Sequence, residues 1–321
     1  MASPIKKFLK IAVPISLGIF LVWYSYNSTT PEDRKLIIEN ISNANPLWVS
    51  LSVIIGILSH VSRAIRWNFL LNPLGYRPKF SNNILIILIS YFANLGIPRS
   101  GEFLRATALT TYENVPFEKG FGTIVTERVI DLIMLLLIIA IALVLQTNII
   151  LDFLNNNGVN LFGSALILAI GILGLIGFVY VIRKSTSGFA LKLKKFLNGM
   201  LEGVSSILKM KKKWLFIFHT LLIWGCYIAM FWVIKYTVTE TIDLSFSQLL
   251  VAFIAGAFAM STTNGGIGAY PIAVAATLTL FDISEVSGKA FGWIMWISQT
   301  LMIVIFGAIS FVLLPLLNRN R

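Results

Sequence analysis

Residues Asn94 to Glu102 read "NLGIPRSGE" and interrupt a chain otherwise built of long apolar runs. Glycine and proline at this density stop a helix, and Arg and Glu are costly in hydrocarbon. The apolar segment leading into this break, Ile84 to Ile97, would make a helix of about 21 Å, short of the roughly 30 Å of a bilayer core. The reading of this stretch therefore decides between a chain of simple crossings and one with broken helices.

Around it, 57% of the 321 residues are hydrophobic and only 12% are charged, with a mean hydropathy of +0.82. Such a composition excludes an ordinary soluble domain and defines a polytopic membrane protein. Runs of full crossing length fall at about 8–26, 47–71, 123–146, 161–181, 214–236 and 290–317. The first follows Lys6, Lys7 and Lys10 and ends on Trp23, Tyr24 and Tyr26, which suit an interfacial aromatic belt better than a cleavage site, so it is read as a retained span. The single cysteine, Cys226, lies inside an apolar run and cannot form an internal disulfide.

A net charge of +12 would suggest nucleic acid in a soluble protein, but here its distribution matters more. Arg183 to Lys213 holds nine basic residues and one acid, Glu202, which places it in the cytoplasm by the positive-inside rule. Its pattern also reads as a basic amphipathic helix on an anionic lipid surface, and it lacks the aromatic interleaving of a nucleic-acid site. Segments 27–45, 147–160, 237–245 and 282–288 then lie outside, carrying eight acids against Arg34 and Lys35. Both termini become cytoplasmic, and the location is the cell membrane.

With six crossings assigned, about 84–122 must leave and return on the inside, and about 246–281 must do so on the outside. The expected fold is thus all-α, with six transmembrane helices and two re-entrant helical hairpins in an inverted-topology repeat. Residues 1–321 form one transmembrane domain, 1–150 being the first repeat and 151–321 the second. "NLGI" at 94–97 recurs as "NGGI" at 264–267, 170 residues later and again at a hairpin tip. Asn94, Gly96, Pro98, Gly101, Asn264, Gly265, Gly266, Gly268 and Pro271 are the expected tip or gating residues. Broken helices of this kind line substrate sites in inverted-repeat transporters.

Charge collects near the first tip. "SHVSRAIRW" puts Arg63 and Arg66 on one helix face, the hairpin adds Arg99, Glu102 and Arg105, and "TERVIDL" adds Glu127, Arg128 and Asp131. Five arginines against three acids must pair or face water, and the Arg fork suits phosphate or carboxylate. These eight are the expected substrate-binding residues. His60 and His219 read as core histidines. No metal or cofactor is implied, and neither a HExxH pattern nor a Walker loop is present.

The ordered motifs "RAIRW", "PRSGEFLRA", "TERVIDL" and "NGGIGAYP" resemble those of the lysylphosphatidylglycerol synthase transmembrane family, which includes the flippase part of the multiple peptide resistance factor. The resemblance implies a lipid translocator moving an anionic or aminoacylated phospholipid between leaflets. By motif, Arg99, Gly101, Glu102, Arg105, Glu127, Arg128 and Asp131 take the family's polar positions. The chain stops at "LLNRNR", where the resistance factor continues into an aminoacyl-transferase domain, so synthase activity is not expected. The chain is expected not to be an enzyme, an intramembrane lipid enzyme being the minor alternative. A proton-coupled transporter of a small anionic solute is the alternative function, with Glu102, Glu127 or Asp131 carrying the proton. Phospholipid is the expected partner, nucleic acid is not, and a homo-oligomer is left open.

Overall fold

The computed structural model describes residues 16, 19–27, 29–97, 99–147, 191 and 210–319. Among these residues every regular element is helical. The chain divides into two compact units, Met1–Glu127 with Trp214–Arg321, and Arg128–Lys213.

The helices begin where their caps dictate. Thr30 caps α1 (Pro31–Ser42) by accepting from Asp33 N at 3.1 Å, with Pro31, Glu32 and Asp33 in the first turn. Asn45 caps α2 (Pro46–Leu71) through Leu47 N at 2.9 Å, again with proline at the first position. The remaining helices are α3 (Phe80–Gly96), α4 (Ser100–Glu113), α5 (Phe117–Leu145), α6 (Lys213–Ile234), α7 (Phe246–Thr262), α8 (Ala269–Leu278) and α9 (Glu285–Leu317). Ser245 and Gln248 form a capping box at α7, and Ser284 caps α9 through Ser287 N.

Among the described residues, four stretches are long and apolar enough to cross a membrane: Pro46–Leu74, Phe117–Leu145, Lys213–Thr237 and Glu285–Leu317. They match the expected spans at 47–71, 123–146, 214–236 and 290–317. The second and fourth begin earlier than hydropathy indicates, because a helix can start with polar turns, here Glu118–Lys119 and Glu285, that belong to no apolar run. Across the stretch expected at 84–122, α3 and α4 together cover Phe80–Glu113, and α3 is 17 residues long. Across the stretch expected at 246–281, α7 starts at Phe246 and a 3-10 turn ends at Phe281. Of the remaining spans, 8–26 is described at residues 16 and 19–26, helical there, and 161–181 lies outside the described residues. So does the basic 183–213 segment, apart from Leu191 and 210–213.

In the first unit the polarity pattern of a soluble protein is turned inside out. The face of α2 that is buried carries Ser52, Gly56, Ser59, His60, Ser62, Arg63 and Arg66, while Leu47, Ile54 and Leu58 are exposed. Exposed aliphatic residues next to buried polar ones are what a lipid solvent selects.

The long α9 is the common neighbour of these helices. A Cβ at Gly292 would stand 2.6 Å from Pro271 Cα, so α8 and α9 touch only because no side chain intervenes. Further along, Trp296 Nε1 donates to Gly265 O at 2.7 Å, and Gln299 Nε2 donates to Ser52 Oγ at 3.2 Å. At its C-terminal end Asn318 and Asn82 exchange reciprocal amide hydrogen bonds at 3.0 Å, tying α9 to the start of α3. At its N-terminal end the Glu240 carboxylate accepts from Ser284 N at 2.9 Å and Ser284 Oγ at 3.0 Å. Burial works to raise this carboxyl, but hydrogen bonds from Ser284 and Ser287 outweigh it and hold the group below its ordinary value.

In the second unit the described part is chiefly Arg128 to Leu145 of α5, an apolar rod with Leu132, Leu136 and Val144 exposed.

Candidate functional site

Arg63, Arg66 and Trp67 stand three and four residues apart on α2, so all three face inward. Arg105, one turn into α4, and Glu127, on the third turn of α5, meet them. Arg105 Nη1 lies 2.6 Å from Glu127 Oε2, and Arg66 Nη2 lies 3.4 Å from Glu127 Oε1. The four charged groups are essentially inaccessible, Arg66 and Glu127 at 0% and Arg63 and Arg105 at 2% relative exposure. Two guanidinium groups, those of Arg66 and Arg105, thus flank the Glu127 carboxylate in a dry interior.

Aromatic and hydroxyl groups hold these guanidiniums in place. Arg105 Cζ lies 3.7 Å from the Trp67 ring centroid, and Trp67 Nε1 in turn donates to Thr123 Oγ1 at 2.8 Å. Arg66 Nη1 donates to Thr220 Oγ1 at 3.3 Å and its guanidinium sits 5.6 Å from the Phe216 ring. Arg63 Nη2 donates to Tyr227 OH at 3.0 Å. A planar guanidinium stacked on an aromatic face keeps its edge directed, which suits recognition of a flat or tetrahedral oxyanion. A buried pair of this kind costs several kcal/mol in desolvation and does not by itself argue for stability.

Two helix breaks interrupt the same unit, and the first lies one turn ahead of Arg105 on α4. At the first, Ile97 is extended and Arg99 is left-handed, with φ 61°. Gly101 N donates to Asn94 Oδ1 at 2.8 Å, and a Cβ on Gly101 would overlap Ser90 O, so α3 and α4 cross at the only residue type that fits. At the second, Gly265, Gly266 and Gly268 take φ of +62°, +76° and +69°, values glycine adopts at no steric cost. Asn264 Nδ2 donates to Leu95 O at 2.8 Å, so "NLGI" and "NGGI" are in direct contact.

Of the eight expected binding residues, Arg63, Arg66, Arg105 and Glu127 come together. Glu102 is half-buried on α4, one turn from Arg105. Arg99 is not in the buried cluster: it is exposed, because it precedes α4 and helical spacing from Glu102 does not extend to it. Arg128 and Asp131 pair with each other at 3.7 Å in the second unit, with Arg128 42% exposed. Among the tip residues, Gly101, Asn264, Gly266, Gly268 and Pro271 are buried, Asn94 and Gly265 are half-buried, Gly96 is exposed, and Pro98 lies outside the described residues. His219 Nδ1 is 2.8 Å from Ser62 Oγ, and His60 stacks at 4.6 Å on the Tyr91 ring, as core histidines would. Yet His60 Nδ1, and likewise Trp224 Nε1, is buried with no hydrogen-bond partner among the described residues.

Sequence reasoning missed Trp67, Thr123, Thr220, Tyr227 and Trp296. Trp67 had a signal: it follows Arg63 by four residues in "RAIRW" and shares its face. The others are single residues in apolar runs, brought in from distant positions by packing.

Inside-out helices, two touching breaks and a buried group of arginines define a multi-pass helical membrane protein. The chain belongs to the lysylphosphatidylglycerol synthase transmembrane region family, which it matches over residues 9–307. That bears out the resemblance read from its motifs. It is 39% identical over 98 residues to a UPF0104 membrane protein of Methanocaldococcus jannaschii, covering 30% of this chain and 29% of that protein. It is 34% identical over 102 residues to Glycosyltransferase AglD of Haloferax volcanii, covering 32% of this chain and 16% of that protein. A UPF0104 membrane protein of Methanothermobacter thermautotrophicus is 29% identical over 111 residues, covering 34% of this chain and 32% of that one. The matches thus span a third or less of each relative's length. No solved structure matches the chain. The expectation that the chain is not an enzyme is corrected here, since a third of it is shared with a protein that bears a glycosyltransferase's name.

Proposed function

We propose that the chain is a lipid translocator, moving an anionic phospholipid between leaflets of a cell membrane. The observation that carries this reading is the set of buried arginines, Arg63, Arg66 and Arg105, the last two on Glu127, with Arg105 one turn after the first helix break. The phosphate is the natural partner of that cluster, because paired guanidinium edges bind its oxygens bidentately while the acyl tails stay in lipid. The re-entrant reading of the two hairpins supplies the route. Asn94 and Asn264 lie 170 residues apart in matching motifs, and their tips touch. An inverted repeat of this form, with both termini in the cytoplasm, opens alternately to each leaflet by rocking about that contact.

The test is reconstitution in liposomes containing a fluorescent phospholipid, with an impermeant quencher reporting the outer leaflet. The wild-type protein is expected to equilibrate the probe, and Arg63→Ala and Arg105→Ala to slow it by at least tenfold with an unchanged elution profile. Equal rates in protein-free liposomes, or unchanged rates in both variants, would sink the reading.

The similarity to a protein named a glycosyltransferase supports a second reading, in which this segment serves a lipid-modifying reaction. Chemical change in the reconstituted lipid, followed by mass spectrometry of the extract, separates this from transport alone.

A further inference from the structure

Met230 of α6 and Met295 and Met302 of α9 gather around Ser52 and Gly56 of α2, and all three methionines are buried. A Cβ on Gly56 would lie 3.0 Å from both Met230 Sδ and Met302 Sδ and 2.7 Å from Gln299 Oε1. Two sulfurs that near one point are at most twice that distance apart. Met295 Sδ lies 4.0 Å from Ser52 Oγ, one turn before Gly56 on α2. Gln299 stands between Met295 and Met302 at helical spacing, and it is half-buried, so one edge of the group is accessible.

Hydrogen bonding settles which way the Gln299 amide points. Ser52 Oγ gives its single proton to Met230 O at 3.2 Å or to Met295 Sδ, so toward Gln299 it can only accept, and Gln299 Nε2 donates to it at 3.2 Å. Gln299 Oε1 is thereby turned toward Gly56 and the two sulfurs, and it accepts no hydrogen bond among the described residues. A thioether sulfur has no proton to offer. Three atoms bearing lone pairs therefore converge on one spot with no donor between them, an arrangement that a low-dielectric interior makes repulsive until a cation enters.

We propose that Met230 Sδ, Met302 Sδ and Gln299 Oε1 bind a soft monovalent metal ion of the copper(I) class. Thioether sulfur selects such ions, whereas calcium and magnesium require a shell of oxygens that one amide does not supply. A metal–sulfur bond is about 2.3 Å long, so an ion held by both sulfurs fits within the spacing around Gly56. Among the described residues no three His, Cys, Asp or Glu side chains gather to hold a metal, which leaves the thioethers as the assembled donors. A single positive charge is also cheaper to desolvate than two, which favours a monovalent ion in a neutral site.

The experiment titrates the purified full chain in chloride-free detergent buffer with silver(I), a redox-inert probe for copper(I), and reads bound metal by equilibrium dialysis. Cys226 lies one turn from Met230 on α6 and its thiol would bind silver by itself, so the titration is made in Cys226→Ala. One tightly bound silver ion per chain is expected, with zinc(II) failing to displace it. Met230→Leu and Met302→Leu keep side-chain volume while removing the sulfur, and each is expected to weaken binding at least tenfold with an unchanged elution profile. Met260→Leu, which removes an exposed thioether elsewhere, is expected to leave the affinity unchanged. X-ray absorption of the copper(I)-loaded Cys226→Ala chain needs no further variant and is expected to show sulfur neighbours. The proposal is overturned by the absence of saturable silver binding, by unchanged affinity in both the Met230 and Met302 variants, by an equal loss in Met260→Leu, or by a copper(I) shell without sulfur.

Discussion

The two helix breaks solve one backbone problem with different residues. At the first, the chain turns on Arg99 in a left-handed conformation that costs a non-glycine residue about 1–2 kcal/mol, and it restarts on Gly101 packed against Ser90 O. At the second, three glycines take the left-handed positions freely, and no charge is present. The first break is thus strained and set beside a buried charge cluster; the second is relaxed and neutral. Conformational ease lies at one break and charge beside the other.

The largest test of that division removes the carboxylate that organises the charged side. Glu127→Gln removes the carboxylate that lies on both Arg66 and Arg105 and is expected to destabilise the protein by about 3–5 kcal/mol, read as a lowered melting temperature in detergent. Gly101→Ala is next: its Cβ meets backbone rather than a flexible side chain, so a loss of about 3 kcal/mol is expected in the same assay. An exchange of backbone preferences sharpens the comparison further. Arg99→Gly should stabilise by about 1 kcal/mol through relief of the left-handed strain, and Gly265→Ala should destabilise by about as much. If both changes have the same sign, the two breaks do not differ in strain.

The smallest effect lies away from both breaks and serves as their control. Because hydrogen bonds from Ser284 and Ser287 hold the Glu240 carboxyl below its ordinary value, its contribution is present at neutral pH and disappears as pH falls through the folded-state value. Glu240→Gln is expected to flatten the acid side of the melting profile slightly, without changing lipid movement.

The breaks were legible because Gly and Pro punctuate a sequence locally, and the four long spans because hydropathy runs do the same. Helical spacing put Arg63 and Arg66 on one face of α2, and the cost of unpaired charge in hydrocarbon is what pointed them to partners such as Glu127. Arg99 misled, since spacing arguments assume a continuous helix and Arg99 stands just ahead of one. Arg128 follows Glu127 directly, and neighbouring helix residues diverge by about 100°, so both could not face one cluster. Trp67 on Arg105, Thr220 on Arg66 and the Asn82–Asn318 pair join residues up to 236 positions apart. Nothing in a local pattern encodes those partners, because packing chooses them only after the helices assemble.

The 33 residues of α9 make a rod of about 50 Å, well beyond the hydrocarbon depth of a bilayer. A rod of that length accommodates the mismatch by leaning, and the angle depends on how thick the surrounding membrane is. Since the same rod is joined to α8 at Gly292, to the second break at Trp296, to α2 at Gln299 and to α3 at Asn318, its lean is mechanically shared with α2, which carries Arg63 and Arg66. Bilayer thickness is therefore an input to this protein, and liposomes of short-chain and long-chain lipid should give different rates from the same polypeptide.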